Sequence, residues 1–128
     1  MRLALSIWLL FALALPAPRA RAEDFAMALS AQAQATHGIK NRQPIDQAYE
    51  FFSSEYVWIW TMVRGGNPGT VVRHVWKRDG VTVFRRELRV GARRWSTNSH
   101  HRCPPGAWTV QVQAIDASVL AEVEFIVK

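Results

Sequence analysis

Cysteine is almost absent from this sequence. Cys103 is the single cysteine among 128 residues, so no disulfide can form within the chain. Small exported domains often rely on paired cysteines, and their absence leaves a hydrophobic core as the source of stability. Hydrophobic residues make up 49% of the chain and six of its residues are tryptophan, which is sufficient for such a core.

The common catalytic motifs are also missing. The sequence has no Gly-x-Ser-x-Gly, no phosphate-binding loop, no dinucleotide fingerprint and no pair of carboxylates with acid–base spacing. We therefore predict a protein that is not an enzyme and that needs no cofactor.

The only long apolar run lies at the N-terminus. It extends from Leu3 to Leu15, follows Arg2, and is ended by prolines before Ala20-Arg21-Ala22. This pattern predicts a signal peptide over 1–22 that is cleaved after Ala22, with an uncleaved anchor as the alternative. We expect a periplasmic or secreted protein with no stable membrane span after cleavage. The loss of three arginines with the leader lowers the formal charge from +6 to +3, which argues against nucleic-acid binding.

The mature chain has the length of one small domain. Residues 23–37 are rich in alanine and glutamine and are predicted to form a linker or a weak helix, with a single domain over 38–128. Ten lysines and arginines lie between Arg64 and Arg102, against only Asp79 and Glu87. They would form either one basic face or a set of solvated side chains on several strands.

Short runs with β-propensity, separated by strong turn signals, fill the domain. Residues 56–63 are aromatic or β-branched at almost every position, which predicts a central strand covered on both faces. Asp79-Gly80 predicts a tight hairpin. The pattern as a whole predicts about seven strands and an antiparallel, immunoglobulin-like β-sandwich, with a small barrel as the alternative. The remaining candidate strands are 47–52, 70–77, 81–90, 93–99, 108–114 and 121–127.

Five short motifs occur in a fixed order along this domain. They are Gly38-Ile39-Lys40-Asn41-Arg42-Gln43-Pro44, then Val72-x-His74-x-Trp76 with Gly80, then Val90-Gly91 with Arg94-Trp95 and Ser99, then Gly106-x-Trp108-x-Val110, and finally Val119-Leu120 with Phe125-x-Val127. In this order they resemble DUF2914, a bacterial family of unknown function, over residues 38–128. The resemblance implies a small β-domain of the bacterial envelope and no particular reaction. The sequence departs from the family pattern at Gln43, at His100 and His101, and at Cys103.

The stretch 100–108, HHRCPPGAW, gathers two histidines and the cysteine where the family pattern ends. A thiol nucleophile would need an imidazole partner and a third orienting group, which one short loop seldom provides. His101 and Cys103 share a parity and are the weak candidates for a metal site, although the spacing fits no standard pattern. We therefore predict no metal site and an exposed connection into the Trp108 strand. The alternative is a metal- or thiol-dependent enzyme that uses this loop, and Cys103 could also link two copies in a dimer.

Tryptophans beside arginines suit contacts with proteins and with anionic glycans. Because alternate strand residues share a face, Trp108 and one of Trp58 and Trp60 are expected in the core. Trp95 is expected to be partly exposed. His74 and Trp76 share a strand face and are either structural or a platform for a sugar or peptide. We predict a non-catalytic module that binds an envelope protein or, second, an anionic glycan. The candidate binding residues are Arg42, His74, Trp76, Arg94, Trp95, Ser99 and His101.

Overall fold

The computed structural model describes residues 28–128. The predicted signal peptide and the first residues after it lie outside this range. The described residues form nine β-strands and no helix. The strands are β1 (Ser30–Lys40), β2 (Gln43–Gln47), β3 (Glu50–Phe51), β4 (Tyr56–Arg64), β5 (Val71–Arg78), β6 (Val81–Arg89), β7 (Arg94–Arg102), β8 (Gly106–Ala114) and β9 (Val119–Val127).

The strands build two sheets, ordered β2-β1-β4-β7 and β3-β9-β8-β5-β6. Without the short strands β2 and β3, seven strands remain, and their order is immunoglobulin-like. β1, β4 and β7 take the places of strands A, B and E in one sheet, and β5, β8 and β9 take the places of C, F and G in the other. β6 stays beside β5 as a hairpin. The predicted β-sandwich is therefore confirmed, and the two sheets do not close into one.

The core lies between the sheets because alternate residues of each long strand point inward, and most of the inward side chains are apolar. Most of the fully buried side chains belong to β4, β5 and β8: Val57, Ile59, Val63, Val72, Trp76, Val110 and Val112. Phe51 and Phe125 meet edge to face, with 5.6 Å between their ring centroids, and fill the end of the core nearest β3. This packing takes the place of the missing disulfide.

The central strand β4 is covered differently on its two faces. Its odd-numbered residues are buried between the sheets, whereas Trp58 and Trp60 on the other face are half-buried and Tyr56 is 46% exposed. The prediction that one of the two tryptophans lies in the core was wrong. Both lie on the outer face of the four-stranded sheet.

The β1–β2 hairpin partly covers this outer face. β1 pairs with β4 only as far as Thr36, which lies opposite Trp58. If β1 continued straight, Arg42 would lie about 20 Å past Trp58. Instead, the Trp60 Nε1–H donates a hydrogen bond to the Arg42 carbonyl at 2.9 Å, so the hairpin folds back across β4. Asn41 and Arg42 both have positive φ, as a two-residue hairpin turn requires.

Two other predicted boundaries were wrong. Residues 30–37, predicted to be a linker or weak helix, belong to β1. Their alanines are small enough to lie beneath the opposite sheet. Backbone pairing with β4 outweighs their weak strand propensity. β7 continues to Arg102, so His100, His101 and Arg102 are strand residues and not part of a loop. No helix long and apolar enough to cross a membrane is found in residues 28–128.

Candidate binding site along strand β7

A buried polar cluster joins the two sheets behind β7. We call it the Ser99 network, and it consists of Thr61, His74, Trp76 and Ser99. His74 Nε2 lies 2.8 Å from Thr61 Oγ1, and His74 Nδ1 lies 2.6 Å from Ser99 Oγ. The Trp76 Nε1–H donates to the same Ser99 Oγ at 3.2 Å. Buried polar groups are costly unless they are paired, and each of these side chains has a partner.

The directions of these hydrogen bonds follow from burial. Thr61 is fully buried, and within the described residues its hydroxyl contacts only His74 Nε2. We assign the Thr61 hydroxyl as the donor to Nε2, because the other tautomer would leave its fully buried hydrogen without an acceptor, and the Nδ1–H of His74 is then the donor to Ser99. The Ser99 oxygen then accepts from both His74 and Trp76. Its own hydrogen has no acceptor in the described part of the chain.

His74 is neutral in this environment. Burial lowers its pKa from 6.5 to about 4, because the interior disfavours the charged imidazolium. The Ser99 oxygen receives two N–H donors, which makes it a poor nucleophile and a polarised hydroxyl donor.

A cleft of about 280 Å³ lies at the edge of the sandwich next to Ser99. We call it the edge cleft. Phe84 and Arg86 of β6 line one side, and Asn98, Ser99 and His100 of β7 line the other, with Trp58 completing it. Arg86 lies opposite His74 in the β5–β6 ladder, so it shares the inward face of its sheet and lies level with the Ser99 network.

The outer face beside this cleft carries a row of stacked rings. The rings of Trp58 and His100 stack with centroids 4.1 Å apart, and Tyr56 meets His100 edge to face at 5.3 Å. The guanidinium of Arg102 lies 4.6 Å from the Tyr56 ring centroid. The antiparallel register sets this arrangement, because Tyr56 pairs with Arg102 and Trp58 pairs with His100. We call these four residues the aromatic ladder.

A second cleft, of about 430 Å³, lies near the start of β7. The Arg42 guanidinium lies 4.0 Å from the Trp95 ring centroid and donates to the Ser96 carbonyl at 2.7 Å. Arg94 and Met62 also line this cleft. A Cβ added at Gly91 would lie 2.8 Å from Trp95 Cη2, so only glycine allows this ring position. The cleft therefore combines a cation–π pair with a second arginine, Arg94.

The segment 100–103, which we call the Cys103 segment, has little reactive capacity. Cys103 is 1% exposed and packs in the core, and burial raises its thiol pKa to about 12. Its Sγ–H points to the His101 carbonyl and not to an imidazole nitrogen. No group of three or more potential metal ligands occurs in residues 28–128. A thiolate nucleophile or an exposed disulfide would require this core to open, and the prediction of an exposed connection was wrong for Cys103.

The predicted binding residues fall into two groups. Arg42, Arg94 and Trp95 meet at the second cleft. His74, Trp76, Ser99 and His101 lie together between the sheets, where His101 packs against Phe84 with ring centroids 4.9 Å apart. His74 and Trp76 are fully buried, so neither is a contact surface; of the two interpretations, their burial agrees with the structural role and not with the platform.

The aromatic ladder and Arg86 were absent from the predicted set. The sequence alone indicated that Tyr56 and Trp58 lie on the same face of one strand, because they are two positions apart. Their pairing with His100 and Arg102, however, depends on a strand register between distant segments.

The family comparison agrees with the motifs. Residues 69–127 match the model of DUF2914, described as a protein of unknown function. The match begins at Gly69, so the resemblance of the segment 38–68 stays a prediction. No curated protein is similar enough to this chain to count as a relative. The part of the chain from Gly69 to Val127, which includes β5 to β9, thus belongs to DUF2914.

Proposed function

We propose that this protein is an exported, non-catalytic binding module for an acidic protein partner of the bacterial envelope. The contact surface runs along β7 and includes the aromatic ladder and both clefts. The observation that carries the proposal is the composition of this surface. It presents arginine and aromatic side chains, and no carboxylate lines either cleft.

The charges around β7 favour an acidic partner. Residues 90–115 contain Arg93, Arg94 and Arg102 and no aspartate or glutamate. A group of arginines raises the rate of encounter with an anionic surface, and salt screens that effect. Of the other basic residues, Arg73 is already paired with Glu87 at 3.2 Å on the outer face of the opposite sheet. The basic residues are thus divided between two sheets, and those beside β7 remain available.

The environments of the two best nucleophile candidates support a non-catalytic role. The pKa of Cys103 is raised, whereas an activated thiol needs a lowered one. With the His74 Nδ1–H assigned as a donor, the Ser99 oxygen accepts two N–H groups, whereas an activated serine donates its proton to a base.

Export is part of the proposal and rests on residues 1–22. Mass spectrometry of the protein recovered from a bacterial host would test it. We expect a mature N-terminus at Glu23 in the periplasmic or secreted fraction, and an intact Met1 in the cytoplasm would contradict it.

Binding can be tested with polyglutamate as an acidic polypeptide and polylysine as its control. Calorimetry should show binding of polyglutamate alone, weakened at least about tenfold from low salt to half-molar salt. Arg102→Ala and Trp95→Ala should each weaken binding, whereas Arg89→Ala on the outer face of β6 should not. Absence of binding, or binding that is insensitive to salt, would overturn the proposal.

An anionic glycan is the second candidate, because Tyr56 and the half-buried Trp58 resemble a stacking surface for sugar rings. Polygalacturonate supplies carboxylates on a sugar chain. If it binds more tightly than polyglutamate and Tyr56→Ala removes that preference, the glycan takes the place of the protein partner.

A further inference from the structure

We propose that β7 accepts an extended segment of the partner as an additional strand, with an acidic side chain of that segment seated in the edge cleft between Arg86 and Ser99. This inference rests on the proposed function and specifies how the acidic partner binds.

The strand order provides the place for such a segment. In constant-type immunoglobulin sandwiches, strand D lies beside strand E. Here the strand that follows C is β6, and it pairs with β5 in the other sheet. Within residues 28–128, no strand pairs with the far side of β7, which corresponds to strand E.

β7 differs from the other three edge strands. β2 is short and contains Pro44, and β3 has only two residues. β6 carries four charged residues between Arg85 and Arg89, and its register with β5 shifts near Trp76. Prolines, irregularities, short length and charges are the usual means by which proteins prevent strand addition. β7 pairs with β4 over nine residues without a register shift, contains no proline, and has its charged residues only at its ends.

The inward face of β6 indicates what the added strand must present. Phe84, Arg86 and Leu88 lie opposite Trp76, His74 and Val72 and therefore face the other sheet. Phe84 and Leu88 are only partly buried and Arg86 is exposed. A strand beside β7 would direct alternate side chains towards these three residues. Apolar residues suit the positions near Phe84 and Leu88.

An acidic residue suits the position between them. There it would meet the Arg86 guanidinium and the Ser99 hydroxyl, whose hydrogen has no acceptor in the described residues. Hydrogen bonds from charged and polarised donors to a carboxylate are among the stronger ones in proteins. Ser99 is 6% exposed, and the Ser99 network fixes its orientation before the ligand arrives. Main-chain pairing would supply affinity. The order of apolar, acidic and apolar side chains on the inward face of the added strand would supply specificity.

Two synthetic peptides of the length of β7 test the inference. In the first, valines alternate with threonines and a central glutamate lies on the valine face. In the second, the glutamate is moved by one position to the threonine face, with the composition unchanged. We expect the first peptide to bind at least about tenfold more tightly, because a shift of one residue exchanges the faces of a strand. Equal affinities would overturn the inference.

Two arginines of β6 provide a matched pair of variants. Arg86→Ala should weaken binding of the first peptide about tenfold, whereas Arg85→Ala, on the opposite face of the same strand, should leave it unchanged. Arg86→Glu should reverse the preference towards a peptide with lysine in place of the glutamate. Hydrogen exchange should show new protection of β7 amides when the first peptide binds. Protection elsewhere, or equal losses for both alanine variants, would contradict strand addition.

The result with polyglutamate separates a failure of the strand-addition inference from a failure of the proposed function. If polyglutamate binds but the peptides do not discriminate, the strand-addition inference fails and the proposed function stands. If neither polyglutamate nor the peptides bind, the proposed function itself fails.

Discussion

The Ser99 network and the Cys103 segment both place histidine beside a nucleophilic residue type, yet they have opposite characters. In the Cys103 segment, the His101 ring nitrogen and the Cys103 thiol each donate to a neighbouring backbone carbonyl and not to each other, and the thiol is buried with a raised pKa. In the Ser99 network, residues from three strands meet through short hydrogen bonds. The comparison shows that proximity along the sequence is a poor guide to an organised site, because successive strand residues point to opposite faces.

The largest effect is expected when the centre of the Ser99 network is removed. Trp76→Ala leaves a cavity in the core and removes one donor to Ser99, so it should lower the free energy of unfolding by about 3–5 kcal/mol. Urea denaturation measures this change. Trp58→Ala on the aromatic ladder is the control and should cost clearly less, because Trp58 is only half-buried. Equal losses would mean that the outer face contributes as much to stability as the core.

The next largest effect is expected in the pH dependence of stability, which the Ser99 network should affect through His74. The folded pKa of His74, about 4, lies below its value of 6.5 in the unfolded chain, so the unfolded state binds the proton more readily. The corresponding stability is fully present above pH 6.5 and is lost as the pH falls towards 4, by about 3 kcal/mol in total. Denaturation curves of wild type and His74→Gln, compared at each pH, isolate this contribution from that of the carboxylates. Parallel curves would show that His74 is not desolvated in the native state.

A smaller effect is expected for the serine itself. Ser99→Ala leaves two buried N–H donors, from His74 and Trp76, without their acceptor, which should cost about 1–3 kcal/mol. The measurement is again urea denaturation. Ser96→Ala on the same strand is the control, since its backbone carbonyl and not its hydroxyl makes the shorter bond to Arg42. A neutral Ser99→Ala variant would contradict the hydrogen-bond assignment.

The smallest effect is expected in the Cys103 segment. Cys103→Ala removes one small buried group and should cost about 1 kcal/mol, with no change in polyglutamate binding. The native thiol should react very slowly with a disulfide reagent at pH 8 and rapidly in urea, because it is buried and protonated. Rapid reaction of the native protein would show that the core opens readily at this point.

Local patterns were sufficient to predict much of the fold. Alternation identified β8 and β9, the aromatic and β-branched residues identified β4, and Asp79-Gly80 correctly placed the turn between β5 and β6, where both residues have positive φ. The alanine-rich β1 was missed because its propensity is weak and only its pairing with β4 stabilises it. The extension of β7 through His100 and His101 was missed because the histidines resembled a loop cluster.

The sequence by itself determined the class of the protein. Its alternation dictates half-buried strands, its single cysteine leaves stability to the core, and its motifs indicate DUF2914. Only the tertiary structure decided which side chains meet. The Ser99 network, the aromatic ladder and the edge cleft each depend on register between strands far apart in the chain, and a shift of one residue in that register would turn every side chain to the other face.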